Sequence, residues 1–383
     1  MATLNNTIII ATHSLVYGAP QALREYLINR SIENLVFISH PLMDNGTSEI
    51  EQIHKGKTMD RKNASFSMSQ PILQYIHHMY LTFIWSMSLK NNADVFVGVD
   101  PLNAFVGVFL KKFGKTKKLI YYTIDYVPQR FDNHILNWVY HFLDTFCVKH
   151  ADETWNVSPR IADARRKMKG IDGADFKKQK VVPIGIWYDR VKRLPFNKIK
   201  KHQLFFIGHL MESAGVQLVF EAIPEIINRI PDFHFLVVGG GEYEKHLRQL
   251  AKKLKIHNSV TFTGWMKDRK KLDTIMSDSA AAVALYDPKT TKTTWFSDPT
   301  KLKDYLSAGL PIILTDVPHN AQDIEKHGCG IVINYTKDEV VRVVVSLMND
   351  EKKLAKYRTS ALQYVQKYDW NTIFDTHLIP LLS

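Results

Sequence analysis

Short apolar runs alternate with amphipathic stretches along most of this chain. Residues 7–12 (TIIIAT) are almost continuously apolar, as expected of a strand buried on both faces of a parallel sheet. Residues 35–39, 94–99, 118–123 (KLIYYT) and 153–157 (ETWNV) are predicted as further strands. Between them, residues 21–29, 103–113 and 133–150 carry helical spacing, and Ser158-Pro159 is an N-cap followed by proline at the first helical position. The pattern restarts at Gln203. Residues 204–207 (LFFI) predict a strand with Gly208 at its end, residues 216–230 a helix, and residues 233–238 a strand ending in Gly239-Gly240-Gly241. Residues 260–263 lead to Gly264-Trp265-Met266, and residues 280–285 (AAAVAL) predict another strand. Strands and helices alternate in both halves, which predicts two α/β, doubly wound domains.

Two segments fit this alternation poorly. Residues 45–69 are polar, with few apolar anchors, and predict a mobile surface excursion. Residues 72–89 approach the length of a membrane span but contain Gln74, His77 and His78. Their flanks are not those of a spanning helix, so a buried or interfacial helix is expected. Adjacent histidines point to different sides of a helix, which favours a partly exposed face over a metal site.

A chain of 383 residues is long for one core and suits two domains. The expected division is residues 1–190, a linker at 191–202, residues 203–365, and a helix at 366–383 that packs back on the first domain. The linker carries Lys192, Arg193, Lys198, Lys200 and Lys201 and no acid. Only two cysteines occur, Cys147 and Cys329, far apart and without metal-ligand spacing, so a reducing, cytoplasmic setting is expected. The N-terminus has no basic region followed by a long apolar run and predicts a first strand, not a signal peptide. A net charge of +12 favours anionic partners. Basic clusters at Lys111, Lys112, Lys115, Lys117 and Lys118, and at Arg165, Arg166 and Lys167, lie near aromatics and suit an anionic membrane surface. No motif for nucleic acid accompanies the charge, so none is expected as a partner.

Residues 297–315 (SDPTKLKDYLSAGLPIILT) hold the most chemistry. Ser297-Asp298-Pro299 predicts a helix start, and the helix that follows carries Lys301 on its first turn and Asp304 behind it. A helix N-terminus offers unpaired backbone donors and a positive dipole end, a good place for a diphosphate. The glycines at Gly208 and at 239–241 stand where strand turns to helix, and lack of a side chain lets backbone amides approach phosphate or simply makes a tight turn.

The series LFFIGHL, FHFLVVGGGE, VTFTGW, SDPTKLKDYLSAGLPIILTD and GCGIVI, in that order over residues 203–345, resembles the donor-binding half of GT-B glycosyltransferases. The first half is similar only in its α/β pattern and in VSPRI and VVPIGI near its end. The resemblance implies two Rossmann-like domains facing a cleft, with the acceptor on the first and a nucleotide-diphosphate sugar, expected to be a UDP-sugar, on the second. It implies donor contacts at Gly208, His209, Gly240, Trp265, Met266, Ser297, Thr300, Lys301 and Asp304. Lys301 would meet the diphosphate, and Asp304 the ribose unless it is an ordinary exposed helix acid. The backbone around Gly264-Trp265-Met266 would meet the base. Ser297 and Thr300 would donate hydroxyls or cap the helix.

The chain departs from the family pattern in instructive places. Phe296 stands where many retaining members have the first of two glutamates, and His209 and Ala214 stand where many have arginine and lysine. Ser297 with Lys301-Leu302 is closer to the Ser-x-x-x-Lys-Leu form of the xanthan glucuronosyltransferase type, which inverts. An inverting transfer needs a general base, and Asp125, just past a sheet strand, is the candidate. Arg130 would steer an anionic acceptor or act on Asp125, and His13 and Gly18 are further acceptor-side candidates. No paired carboxylates stand where a metal would need them, so no metal or other cofactor is expected. The expected activity is glycosyl transfer to a glycan or lipid-linked acceptor by a cytoplasmic protein peripheral to the inner membrane face. The alternatives are a non-catalytic GT-B subunit or scaffold at a membrane and, more remotely, an epimerase of the same fold.

Overall fold

The computed structural model describes residues 4–14, 16–42, 46–65, 70–291 and 293–382. It divides into two compact units, Met1–Ile184 with Trp370–Ser383, and Gly185–Asp369.

Unit 1 runs β1 (Thr7–Ser14), α1 (Ala19–Asn29), β2 (Asn34–Pro41), β3 (Ser48–His54), β4 (Lys57–Ala64), α2 (Pro71–Met87), β5 (Ala93–Val99), α3 (Pro101–Lys112), β6 (Thr116–Thr123), α4 (His134–His150), β7 (Glu153–Asn156), α5 (Pro159–Lys169), α6 (Gly173–Lys177) and β8 (Gln179–Val181). Its eight strands lie in the order β4-β3-β2-β1-β5-β6-β7-β8. All neighbours from β2 to β8 are parallel, which is why β1 is apolar throughout: Ile8, Ile9, Ile10 and Ala11 are fully buried.

The segment expected to be a surface excursion is instead an antiparallel hairpin, β3 and β4, added to β2 at the sheet edge. Lys55 and Gly56 turn it, both at positive φ. Its anchor is polar: buried Glu51 accepts two hydrogen bonds from Arg24, both at 2.8 Å, and one from Thr58 at 2.6 Å. A strand held by a buried carboxylate, beside an edge strand exposed along nearly its whole length, leaves little apolar alternation to detect. The outer parts of that segment, residue 45 and residues 66–69, lie outside the described residues.

Arg165, expected in a surface basic cluster, is fully buried. It donates to Asp144 at 2.9 and 2.5 Å, to Asn156 at 2.7 Å and to Thr123 at 2.9 Å, tying α5 to α4 and the sheet. The lysines of the other expected cluster are mostly engaged too. Lys111 pairs with Asp152 at 2.6 Å and Lys117 with Asp94 at 2.7 Å, and the ammonium groups of Lys115 and Lys118 donate to the carbonyls of Leu89 and Leu381.

Unit 2 runs β9 (Lys200–Ile207), α7 (Val216–Ile227), β10 (His234–Val238), α8 (Glu244–Lys253), β11 (Val260–Phe262), α9 (Arg269–Ser277), β12 (Ser279–Ala284), α10 (Thr300–Ser307), β13 (Ile312–Leu314), α11 (Ala321–Lys326), β14 (Gly330–Val332), α12 (Lys337–Met348) and α13 (Glu351–Tyr364). Its six parallel strands lie in the order β11-β10-β9-β12-β13-β14. The stretch expected as a free basic linker is folded into this unit. Val191 is buried, Arg193 donates to the Ser307 carbonyl at 2.8 Å, and Lys200 and Lys201 pair with Asp278 and Glu351 at 2.6 and 2.5 Å.

The chain then returns to unit 1 as α14 (Trp370–His377) and α15 (Ile379–Leu382). Tyr26 of α1 donates to Asp375 at 2.5 Å, Arg30 pairs with the same carboxylate, and the rings of Tyr26 and Phe374 meet at 5.2 Å.

Candidate functional site

The β12 strand ends at Ala284, and α10 begins at Thr300. Parallel sheets leave their ligand sites at the carboxyl ends of their strands. Pro299 is the N-cap of α10 and makes no side-chain cap, so the first amides of the helix lack intrahelical acceptors. Lys301, its second residue, turns its ammonium between two rings, 4.7 Å from the centre of Phe206 on β9 and 4.4 Å from that of Tyr286. Among the described residues no carboxylate lies within ion-pair reach of it. Burial pushes its pKa down to about 7.

Beside Lys301 opens a cavity of about 380 Å³ lined by Gly208, His209, Ser213, Thr290, Thr293, Thr294, Thr300 and Asp304, among others. Its hydroxyls, the helix amides and one ammonium make a site rich in donors. Asp304 is the single carboxylate of the lining, and it is already engaged: Arg269 donates to it at 2.6 Å and to Asp273 at 2.8 Å. Ser213 and the threonines at 290, 293 and 294 were not singled out from sequence. The Thr-rich run 289–294 (KTTKTT) has no periodicity to mark it, although its place just past a strand end is a usable signal.

The structure sorts the expected donor residues into two groups. Gly208, His209, Thr300, Lys301 and Asp304 line the cavity. Gly240, Trp265 and Met266 lie outside its lining. Trp265, 65% exposed, has its ring 5.9 Å from that of His209, and Gly240 leaves room for the indole, since a Cβ there would come within 2.8 Å of Trp265 Nε1. His209 in turn meets Glu242 at 2.6 Å. Met266 packs inward against the hydrophobic cluster that includes Tyr305. Ser297 neither caps α10 nor lines the cavity; its hydroxyl donates to the Thr294 carbonyl at 3.3 Å. The buried Asp298 pairs with Lys303 and approaches His319 to 3.4 Å.

The glycines also need correcting. The Gly208 amide donates to Val238 at 3.1 Å and the Gly239 amide to Gly264 at 2.9 Å, so neither is free for a phosphate. Gly239 has φ +125°, and a Cβ on it would lie 2.0 Å from the Gly208 carbonyl oxygen. It is glycine because two backbones meet there.

On unit 1, Asp125 follows β6 in an exposed loop, with its side chain 65% accessible and bonded to Arg130 at 2.8 Å. Arg130 also lies 5.3 Å from the Tyr140 ring centre. Although burial opposes its charge, Asp125 and Tyr140 leave its pKa raised. Gly18 is the N-cap of α1, its amide bonded to Gln21 at 2.9 Å.

His13 is at the centre of a cluster that the adjacent-histidine argument did not foresee. Its Nδ1 meets Asp100 at 2.8 Å and its Nε2 meets Nδ1 of His78 at 3.1 Å. His40 stacks on His78 at 4.7 Å and is held by Ser48 and Thr82 at 2.9 and 2.7 Å. His78, expected on a partly exposed face, is thus buried. Asp100 sits at φ +92° and caps α3 by accepting from the amides of Leu102 and Asn103. Among the described residues no three His, Cys, Asp or Glu side chains are arranged to hold a metal ion.

Residues 201–350 match the family model described as glycosyl transferases group 1. The phosphatidyl-myo-inositol mannosyltransferase of Mycolicibacterium smegmatis is 23% identical over 221 residues, 57% of this chain and 52% of that protein. Spore coat protein SA of Bacillus subtilis is 24% identical over 46% of this chain and 48% of its own length. The chain thus spans about half the length of these curated relatives. Among solved structures, sucrose-phosphate synthase of Thermosynechococcus elongatus superposes with a TM-score of 0.72 at 13% identity, covering 97% of each chain. Anabaena HepE, solved in complex with UDP-glucose, gives 0.69 at 15% identity, covering 97% of this chain and 98% of its own. Residues 201–350 are a glycosyl transferases group 1 domain, and the two parallel-sheet, Rossmann-like units have the GT-B glycosyltransferase fold.

Proposed function

We propose that this chain transfers a glycosyl group from a UDP-sugar to an acceptor hydroxyl, that the acceptor is a lipid-linked glycan or polysaccharide precursor, and that the reaction runs at the cytoplasmic face of a membrane without a metal ion. The observation that carries this reading is Lys301: an ammonium with no carboxylate partner among the described residues, held between two rings at the N-terminus of α10 and beside a hydroxyl-lined cavity. A half-buried cation favours a counter-charge, and a diphosphate supplies one where helix amides also converge. The choice of UDP is supported by the HepE complex, and a lipid-linked acceptor by the name of the mycobacterial mannosyltransferase.

In the transfer the acceptor oxygen bonds to the anomeric carbon while the bond from that carbon to the diphosphate oxygen breaks. The diphosphate leaves with its negative charge met by Lys301 and the α10 amides. The hydroxyl proton goes to a base, and Asp125, exposed and oriented by Arg130, is assigned that part. Asp304 takes a ribose hydroxyl on the oxygen that Arg269 does not occupy.

The test is turnover and binding of UDP-, GDP- and dTDP-sugars, with Lys301→Ala beside wild type and with chelator present. Binding of a UDP-sugar that is lost in the variant supports the reading; a GDP-sugar preferred over UDP-sugars revises the base. If none of the donors is bound or turned over, the enzyme reading fails and the fold serves as a scaffold.

A further inference from the structure

The helices α2, α3 and α4 pack side by side on one face of the unit 1 sheet, with α3 in the middle. Their outward surface is unusual in two independent ways. It is apolar where it should be polar: among the described residues, ten of the twenty large hydrophobic side chains that are exposed fall on α2, on α4 and at the end of α3. On α4 they form one stripe at helical spacing, Ile135, Trp138 and Phe142, exposed by 72%, 65% and 51%. Trp138 stacks on Phe142 and Phe142 on Phe146, with ring centres 5.5 and 6.3 Å apart. Ile72, Ile76 and Tyr80 make the matching stripe on α2.

The same surface is also poor in acid, the acid at its edge being Asp152, which pairs with Lys111. The three helices contain one carboxylate, Asp144, and it is buried against Arg165. Their last turns carry Lys111, Lys112 and Lys149, and the neighbouring α5 adds Lys167 and Lys169. Lys112 and Lys149 have no carboxylate partner among the described residues. A protein partner is usually met by a surface of mixed charge with an apolar centre. A face that is apolar, aromatic and more basic than acidic suits the interface of an anionic bilayer, where tryptophan and phenylalanine enter the headgroup region and lysines meet lipid phosphates. No helix among the described residues is long and apolar enough to cross a membrane.

We propose that the outer face of α2, α3 and α4 docks flat on an anionic lipid bilayer, with Ile135, Trp138 and Phe142 inserted at the interface. Of the basic clusters that suggested a membrane from sequence, only Lys112 and Lys167 contribute unpaired charge among the described residues, since the other side chains are paired or buried. Only the biological purpose, access to a lipid-linked acceptor, rests on the glycosyltransfer reading; the docking itself does not.

The test is co-sedimentation of the whole chain with vesicles of phosphatidylglycerol and phosphatidylcholine, against vesicles of phosphatidylcholine alone. Ile135→Glu with Phe142→Glu is the variant, and both side chains are exposed, so the fold is kept. Wild type is expected to bind the anionic vesicles at least tenfold more tightly than the neutral ones at low salt. The double variant is expected to lose at least tenfold of that affinity while binding UDP in solution as wild type does. A milder second variant, Trp138→Ser, should fall between them. No sedimentation of wild type with anionic vesicles at low salt, or equal binding by the double variant, overturns the proposal. So does a wild-type dimer that the double variant abolishes without any vesicle binding. Loss of UDP binding with vesicle binding intact would strike the functional reading alone.

Discussion

The Nζ of Lys301 lies 4.4 Å from the centre of the Tyr286 ring and 4.7 Å from that of Phe206. Such a charge stabilises the fold little while it waits for an anion. A charge-assisted contact is worth about 1.5–3 kcal/mol, so Lys301→Ala should weaken UDP binding roughly ten- to hundredfold. Titration calorimetry measures it, and unchanged affinity would remove Lys301 from the donor site.

The same lysine makes donor binding depend on pH. Burial holds its pKa at about 7, below the ordinary 10.5. Above pH 7 the ammonium form falls about tenfold per unit, so UDP affinity should drop between pH 7 and 9, by at least tenfold. Stability runs the other way. The folded-state value is the lower one, so the unfolded chain binds the extra proton between pH 7 and 10.5, and the fold gains stability as pH rises through that window. Lys301→Ala should flatten both slopes, which calorimetry and thermal melts across pH would show.

Asp125→Ala should lower kcat by about 10²–10⁴, the usual share of a general base, and leave UDP affinity within about twofold. Steady-state rates with donor and acceptor, beside direct UDP binding, separate the two. The anomeric configuration of the product, read by NMR, completes the assignment: inversion agrees with Asp125 as base. A kcat that stays at the wild-type level would place the base elsewhere.

Asp144 and Arg165 are a buried pair, and removing one partner strands the other charge. Asp144→Ala is expected to cost about 3–5 kcal/mol in unit 1. Urea unfolding followed by tyrosine fluorescence would report it. UDP binding, which belongs to unit 2, should survive in conditions where the variant remains folded.

Acid should loosen unit 1 through its histidines. Burial, with the neighbouring charges of His13 and His77, pushes the His78 pKa down to about 4 against an ordinary 6.5, and Asp100 only partly opposes this. The unfolded chain therefore binds the extra proton as pH falls from about 6.5 toward 4, and stability is lost over that window. His78→Gln should show a shallower decline in melting temperature across it.

The order of strands and helices was legible because parallel strands buried on both faces leave apolar blocks, and residues 7–12 are the clearest. The hairpin β3–β4 was not, because its anchor is the Glu51 carboxylate and its outer strand faces water. Lys301 could be picked out from its place on a first helical turn, yet its lack of a counter-ion appears only when Phe206, from a distant strand, comes to face it. The His13 cluster escaped because adjacency of His77 and His78 says nothing about which of them turns inward. Charge counts misled at Arg165, since a basic run looks the same whether its members face solvent or a buried aspartate.

The clasp of Asp375 by Tyr26 and Arg30 has a consequence for how the molecule is made. Unit 2 is continuous in the chain, whereas unit 1 includes residues on both sides of it. A chain emerging from the ribosome can therefore complete its second unit before its first, which keeps part of its α1 surface open until residues 370–382 are synthesised. Removing those residues would leave Tyr26 and Phe374's neighbours without their cover, and the aggregation that follows would be a defect of assembly order, with every residue of the cavity beside Lys301 still in the sequence.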